Sequence, residues 1–192
     1  MSAKRKNQLL NLTLTAMFLA IGLLLPLLTG QMKQLGNALL PMHIPVFLCG
    51  LICGWQYGLG VGFVLPLLRS AIFGMPILFP TAVSMAFELA AYGFAVGFLY
   101  SHSRWKCVVA LYRCMIIAML SGRVVWGIVQ VCLLGLGENG FTFSMFIAGA
   151  FLNAIPGIIL QLILIPSIMI ALNRTGLVRF TNNPAPAKKA EN

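Results

Sequence analysis

Arg69, Glu88 and Arg123 stand in stretches of sequence too apolar to leave them in water, and they set the chemistry to be explained. A charge within hydrocarbon costs about 2.5 to 3.5 kcal/mol on insertion scales, so it persists where it pairs, faces a cavity or reaches the interface. Glu88 and Tyr92 fall at i and i+4, with Thr81 and Ser84 on the same helical face. Arg123, Trp126 and Gln130 recur at i, i+3 and i+7, and Asn153, Gly157 and Gln161 at i, i+4 and i+8. Two guanidiniums and one carboxylate in a common cavity leave an excess positive charge, and a planar guanidinium grips a carboxylate or phosphate through two hydrogen bonds. This pattern points to an anionic small molecule: Arg69 and Arg123 on its acidic group, Glu88 orienting one of them, Asn153 and Gln161 beside a hydroxyl or amide. Tyr92 and Trp126 then supply apolar wall and directed donors. The plainer alternative is that these stripes stitch helices together.

Other polar residues have simpler readings. Arg113 is a turn or so from a span end and lifts its guanidinium to the interface. His43, near an outer helix start just after Pro41 and Met42, is placed to touch a ligand, but reads first as a satisfied interfacial histidine. Cys49, Cys53, Cys107, Cys114 and Cys132 are odd in number and sit in or beside apolar runs, so they imply neither a disulfide framework nor a metal site. No phosphate-binding GxxxxGK[ST] loop, HExxH pair or nucleophile elbow occurs, so no enzymatic reaction, metal or cofactor is expected.

The elements that must position these residues are membrane spans. Of 192 residues 60% are hydrophobic and 8% charged, with a mean hydropathy of +0.95, which excludes an ordinary soluble domain. The expected fold is all-α, one six-helix polytopic bundle over 1–173 with spans near 9–28, 43–56, 58–73, 80–100, 108–135 and 143–171. Pro41, Pro45 and the glycines 54, 58, 60 and 62 argue for two short spans over 43–73, joined by a turn at 54–58. Lys4, Arg5 and Lys6 would suit a signal peptide, but no small-residue cleavage site follows, so the first span is read as retained. Residues 174–192, rich in Asn, Pro, Ala and Lys, read as a disordered tail.

Six spans put both termini on one side. Lys4, Arg5, Lys6, Arg104, Lys106, Arg174, Arg179, Lys188 and Lys189 share that side against Lys33 opposite, which makes the termini cytoplasmic in a cell-membrane protein. The same distribution accounts for the net charge of +10 without nucleic acid. Loops at 29–42, 74–79 and 136–142 then face outward. The first of them, with Gly30, Gly36 and Asn37, and the Gly74-Met75-Pro76 turn are placed to cover a ligand.

With spans, termini and short second and third helices in view, the chain resembles the substrate-binding S components of energy-coupling-factor (ECF) vitamin transporters along nearly its whole length. Ala16-Met17-Phe18-Leu19-Ala20 in the first span is similar to the AxxxA pattern that in this family packs on the transmembrane coupling subunit. The resemblance implies that Ala16 and Ala20 form a coupling interface. It also implies that a vitamin binds at the outer side, and that the coupling subunit and two ATPases drive its release inward. The stretches Met42-His43-Ile44-Pro45-Val46, Pro66-Leu67-Leu68-Arg69-Ser70, Phe73-Gly74-Met75-Pro76 and Phe79-Pro80-Thr81 through Ala86-Phe87-Glu88-Leu89 look most like pantothenate-type members. Other carboxylate vitamins suit the same charge. A stand-alone ion-coupled carrier is the competing class, although no internal duplication of the kind such carriers show is visible.

Overall fold

A computed structural model describes residues 3–28, 41–104, 106–135, 142–150 and 154–174, and every regular element among them is helical. Asn153, residues 29–40 of the first loop, most of the 136–142 loop and the tail beyond Arg174 lie outside the described residues. The helices are α1 (Ala3–Leu28), α2 (His43–Cys53), α3 (Trp55–Phe73), α4 (Val83–His102), α5 (Val108–Leu134), α6 (Phe143–Ala150) and α7 (Ile155–Arg174). An irregular turn, Leu78–Ala82, leads into α4, with Phe79 extended and the Ala82 N–H bonded to the Ile77 carbonyl at 2.9 Å.

Five of these segments are long and apolar enough to cross a membrane. The exceptions teach something. The eleven residues of α2 rise only about 16 Å, roughly half the hydrocarbon thickness. Apolar on every side, α2 is buried along nearly its whole length and forms the centre of the bundle. Within the stretch expected as a single span over 143–171, the described helices are α6 and α7, with residues 151–153 between them outside the described residues. Pro156 stands second in α7, where its missing N–H is harmless.

The turn expected across 54–58 shrinks to one residue. Gly54 takes φ 102°, and α3 starts at once, with the Gly58 N–H on the Gly54 carbonyl at 3.0 Å. Gly58, Gly60 and Gly62 therefore lie inside a helix rather than breaking one. A Cβ on Gly58 would come within 2.8 Å of the Gly93 carbonyl oxygen, and one on Gly62 would strike the Leu89 carbonyl of α4. Small residues at this spacing let α3 and α4 meet backbone to backbone, running antiparallel. Gly50 of α2 enters the same seam, against Gly93 and Val96.

Around this seam Phe47, Leu65, Leu89, Val96, Leu111, Met115, Ile165 and Met169 are fully buried. The last two come from α7, which packs on α2 and α5. By contrast α1 is peripheral: 17% of its apolar stretch is buried, against 50% for Leu78–His102. Its buried residues are Phe18, Gly22 and Pro26, one per turn, with Leu14, Leu19 and Leu23 half-buried beside them.

Candidate functional site

Glu88, 2% exposed, is the only acidic residue among those described, and three helices converge on it. Its Oε1 accepts from Arg123 Nη1 of α5 at 2.8 Å and from the Tyr92 hydroxyl one turn along α4 at 2.8 Å. His43 Nε2, at the start of α2, is 3.9 Å away. The Tyr92 ring stacks on Phe47 at 5.3 Å between centroids and tilts against His43 at 5.3 Å. This ring needs room that only glycine leaves, since a Cβ on Gly122 would strike it. A buried ion pair holds when further hydrogen bonds satisfy its remaining valences, and Tyr92 supplies one.

One turn toward the α4 N-terminus lies a second contact between the same helices. The Ser84 hydroxyl donates to the Thr81 carbonyl at 3.0 Å, and Gln130 Nε2 of α5 donates to Ser84 Oγ at 3.3 Å. The α4 and α5 stripes therefore face each other along two turns.

Arg69 is arranged differently. It is 6% exposed on α3, and its Nε donates to the Met75 carbonyl at 3.0 Å, past the left-handed Gly74 that ends the helix. Its guanidinium lies 6.0 Å from the Phe73 ring centre. Nη1 is buried without a hydrogen-bond partner among the described residues.

The structure thus joins Glu88, Tyr92 and Arg123 and adds His43, which is 1% exposed rather than interfacial. It does not join Arg69 to Glu88. The expected pairing of one arginine with Glu88 falls to Arg123, because the α4–α5 packing puts those two stripes face to face. Trp126 stacks on Phe146 of α6 at 6.2 Å and lies against Gly149. Gln161 of α7 is 2% exposed with Nε2 unpartnered among the described residues. Arg113 is exposed near the start of α5, and Ala16 and Ala20 are exposed on the outer face of α1. The five cysteines are free, and no cluster of metal-ligating residues occurs among the described residues.

What the sequence did not show of His43 is its place beside Glu88. The signal was present in α2 itself: a helix without a polar face buries every side chain, the histidine included.

Compared with known proteins, no curated protein and no solved structure gives a significant match. A family profile, the substrate-specific component of ECF transporters, matches residues 10–169. That range runs from the first turns of α1 into the last turns of α7, taking in Arg69, the Glu88 junction and Gln161, and so the chain belongs to the ECF transporter substrate-specific component family.

Proposed function

We propose that this substrate-binding component takes up a carboxylate vitamin, pantothenate, and that Arg69 holds its acidic group. The family makes the chain a transporter component rather than an enzyme or a stand-alone carrier, and such components work with a coupling subunit and ATPases. One observation supports the anion: Arg123 is neutralised by Glu88, while Arg69 is buried with a guanidinium nitrogen that no described residue engages. A buried cation held in this way favours a carboxylate that forms the missing charge-assisted bond.

On this reading Glu88, Arg123 and Tyr92 form a fixed wall beside the ligand. Trp126 supplies apolar surface, and Gln161 and Asn153 offer amides to the hydroxyls or amide of the vitamin. The excess of Lys and Arg on the side of the termini supports cytoplasmic ends in the cell membrane. Substrate then enters from outside near Arg69 and the Gly74 turn. The exposed Ala16 and Ala20 support a coupling face on α1.

A thermal-shift panel of water-soluble vitamins on the detergent-purified protein tests the substrate. A ligand at about 100 times its Kd stabilises by about 2.7 kcal/mol, and pantothenate should do so. A response to biotin or lipoate instead keeps the charge and changes the name. Stabilisation by a neutral vitamin alone overturns both.

A further inference from the structure

Gln130 is 8% exposed and Ser84 is fully buried, and the bond between them fixes which way the glutamine amide points. Ser84 has one hydroxyl proton, and it goes to the Thr81 carbonyl at 3.0 Å. Its oxygen can then only accept, so the group 3.3 Å away is the amide nitrogen of Gln130 and not its oxygen. The amide is locked one way round. Gln130 Oε1 is left buried as an acceptor without a donor among the described residues. Such an atom is costly to bury, and here it cannot turn to find relief.

The packing register brings Ser84, the partner of this glutamine, to about the depth of Arg69. Gly62 of α3 abuts Leu89 of α4, and the two helices run antiparallel. Seven residues further along α3 is Arg69, which comes level with Ala82, two residues from Ser84. At similar depth the bundle thus has an unmatched donor on a cation, Arg69 Nη1, and an unmatched, orientation-locked acceptor, Gln130 Oε1.

We infer that Gln130 reads a hydroxyl or N–H group on the transported molecule. The substrate class becomes a carboxylate that also carries a hydrogen-bond donor, and plain aliphatic acids bind less tightly because they forgo the bond to Oε1. This inference rests on the reading of Arg69 as the anion-binding residue.

Titration calorimetry on the full-length purified protein tests it with two donor-bearing carboxylates, pantothenate and biotin, and two donor-free ones, lipoate and octanoate. The wild type should prefer its donor-bearing ligand by about tenfold or more. Gln130→Met should cut that preference to about threefold or less while leaving donor-free affinities unchanged. Ser84→Ala, which frees the amide to turn, should narrow the preference in the same direction, and it decides the matter if Gln130→Met does not fold. Equal weakening of all four ligands by Gln130→Met, or a preference that survives both variants, overturns the inference. Arg69→Met separates the two readings: unchanged carboxylate binding in that variant removes the anion site itself, whatever Gln130 does. A wild type that binds none of the four removes both.

Discussion

Two buried arginines in one bundle meet opposite fates. Arg123 lies against Glu88 at 2.8 Å, with Tyr92 bonded to the same oxygen and His43 and Phe47 packed on the tyrosine ring. Arg69 has a backbone carbonyl, the face of an aromatic ring and an unmatched nitrogen. The first arrangement is complete within the chain and ties α2, α4 and α5 together. The second is incomplete, and it sits where α3 ends and a turn begins. Residues of the same type therefore serve different purposes: a satisfied buried charge specifies packing, whereas an unsatisfied one leaves part of its recognition to something else.

If this contrast is right, Glu88→Ala produces the largest effect on the fold. It strands Arg123 as an uncompensated buried cation, at a cost of about 3 to 5 kcal/mol. The double variant Glu88→Leu with Arg123→Met should recover most of that loss, since replacing both partners by apolar groups removes the desolvation penalty with the pair. Thermal unfolding in detergent reads both. A Glu88→Ala protein as stable as wild type would show that the junction contributes little to packing.

Arg69→Met should invert the pattern. Its melting temperature without ligand should stay near wild type, while carboxylate affinity falls by about 2 to 5 kcal/mol in titration calorimetry. A fall in unliganded stability as large as that of Glu88→Ala would erase the distinction between the two arginines.

Much of this contrast is legible in the sequence, and its gaps have physical causes. The Glu88/Tyr92 and Arg123/Gln130 stripes follow from helical spacing, and the structure sets them face to face. Which arginine meets Glu88 is not legible, because depth along a helix says nothing about rotation toward a neighbour. The glycines of 54–62 misled in the other direction. As local signals they break helices, but Gly58 and Gly62 serve a contact with α4, some thirty residues away in sequence, that no local rule contains. The start of α7 does carry a local signal, since Pro156 stands second in that helix.

Gly122→Ala sharpens the comparison at smaller scale. The added methyl collides with the Tyr92 ring, which must shift and loosen its bond to Glu88. Overpacking of this kind costs about 1 to 3 kcal/mol, less than losing the carboxylate outright. Trimming the ring in Gly122→Ala with Tyr92→Leu should restore part of the stability. If Gly122→Ala melts like wild type, the tyrosine has free space and the junction is less tightly determined than its distances imply.

The smallest effect on the fold belongs to α1, which neither arginine touches. Its inward residues Phe18, Gly22 and Pro26 are buried, while Ala16, Ala20 and Leu24, also one turn apart, face outward. A bulky side chain on that outward strip meets none of the described residues, so Ala16→Trp should change stability by no more than about 0.5 kcal/mol and leave vitamin binding intact. It should nevertheless abolish uptake by cells that carry the coupling subunit and ATPases, because an indole holds an approaching helix beyond the close contact that two alanines permit. Binding assays on the purified protein, paired with uptake in whole cells, separate the two functions. Retained uptake would place the coupling face elsewhere. Lost binding would mean that the strip supports the site from within, and the peripheral helix would then belong with the Glu88 junction.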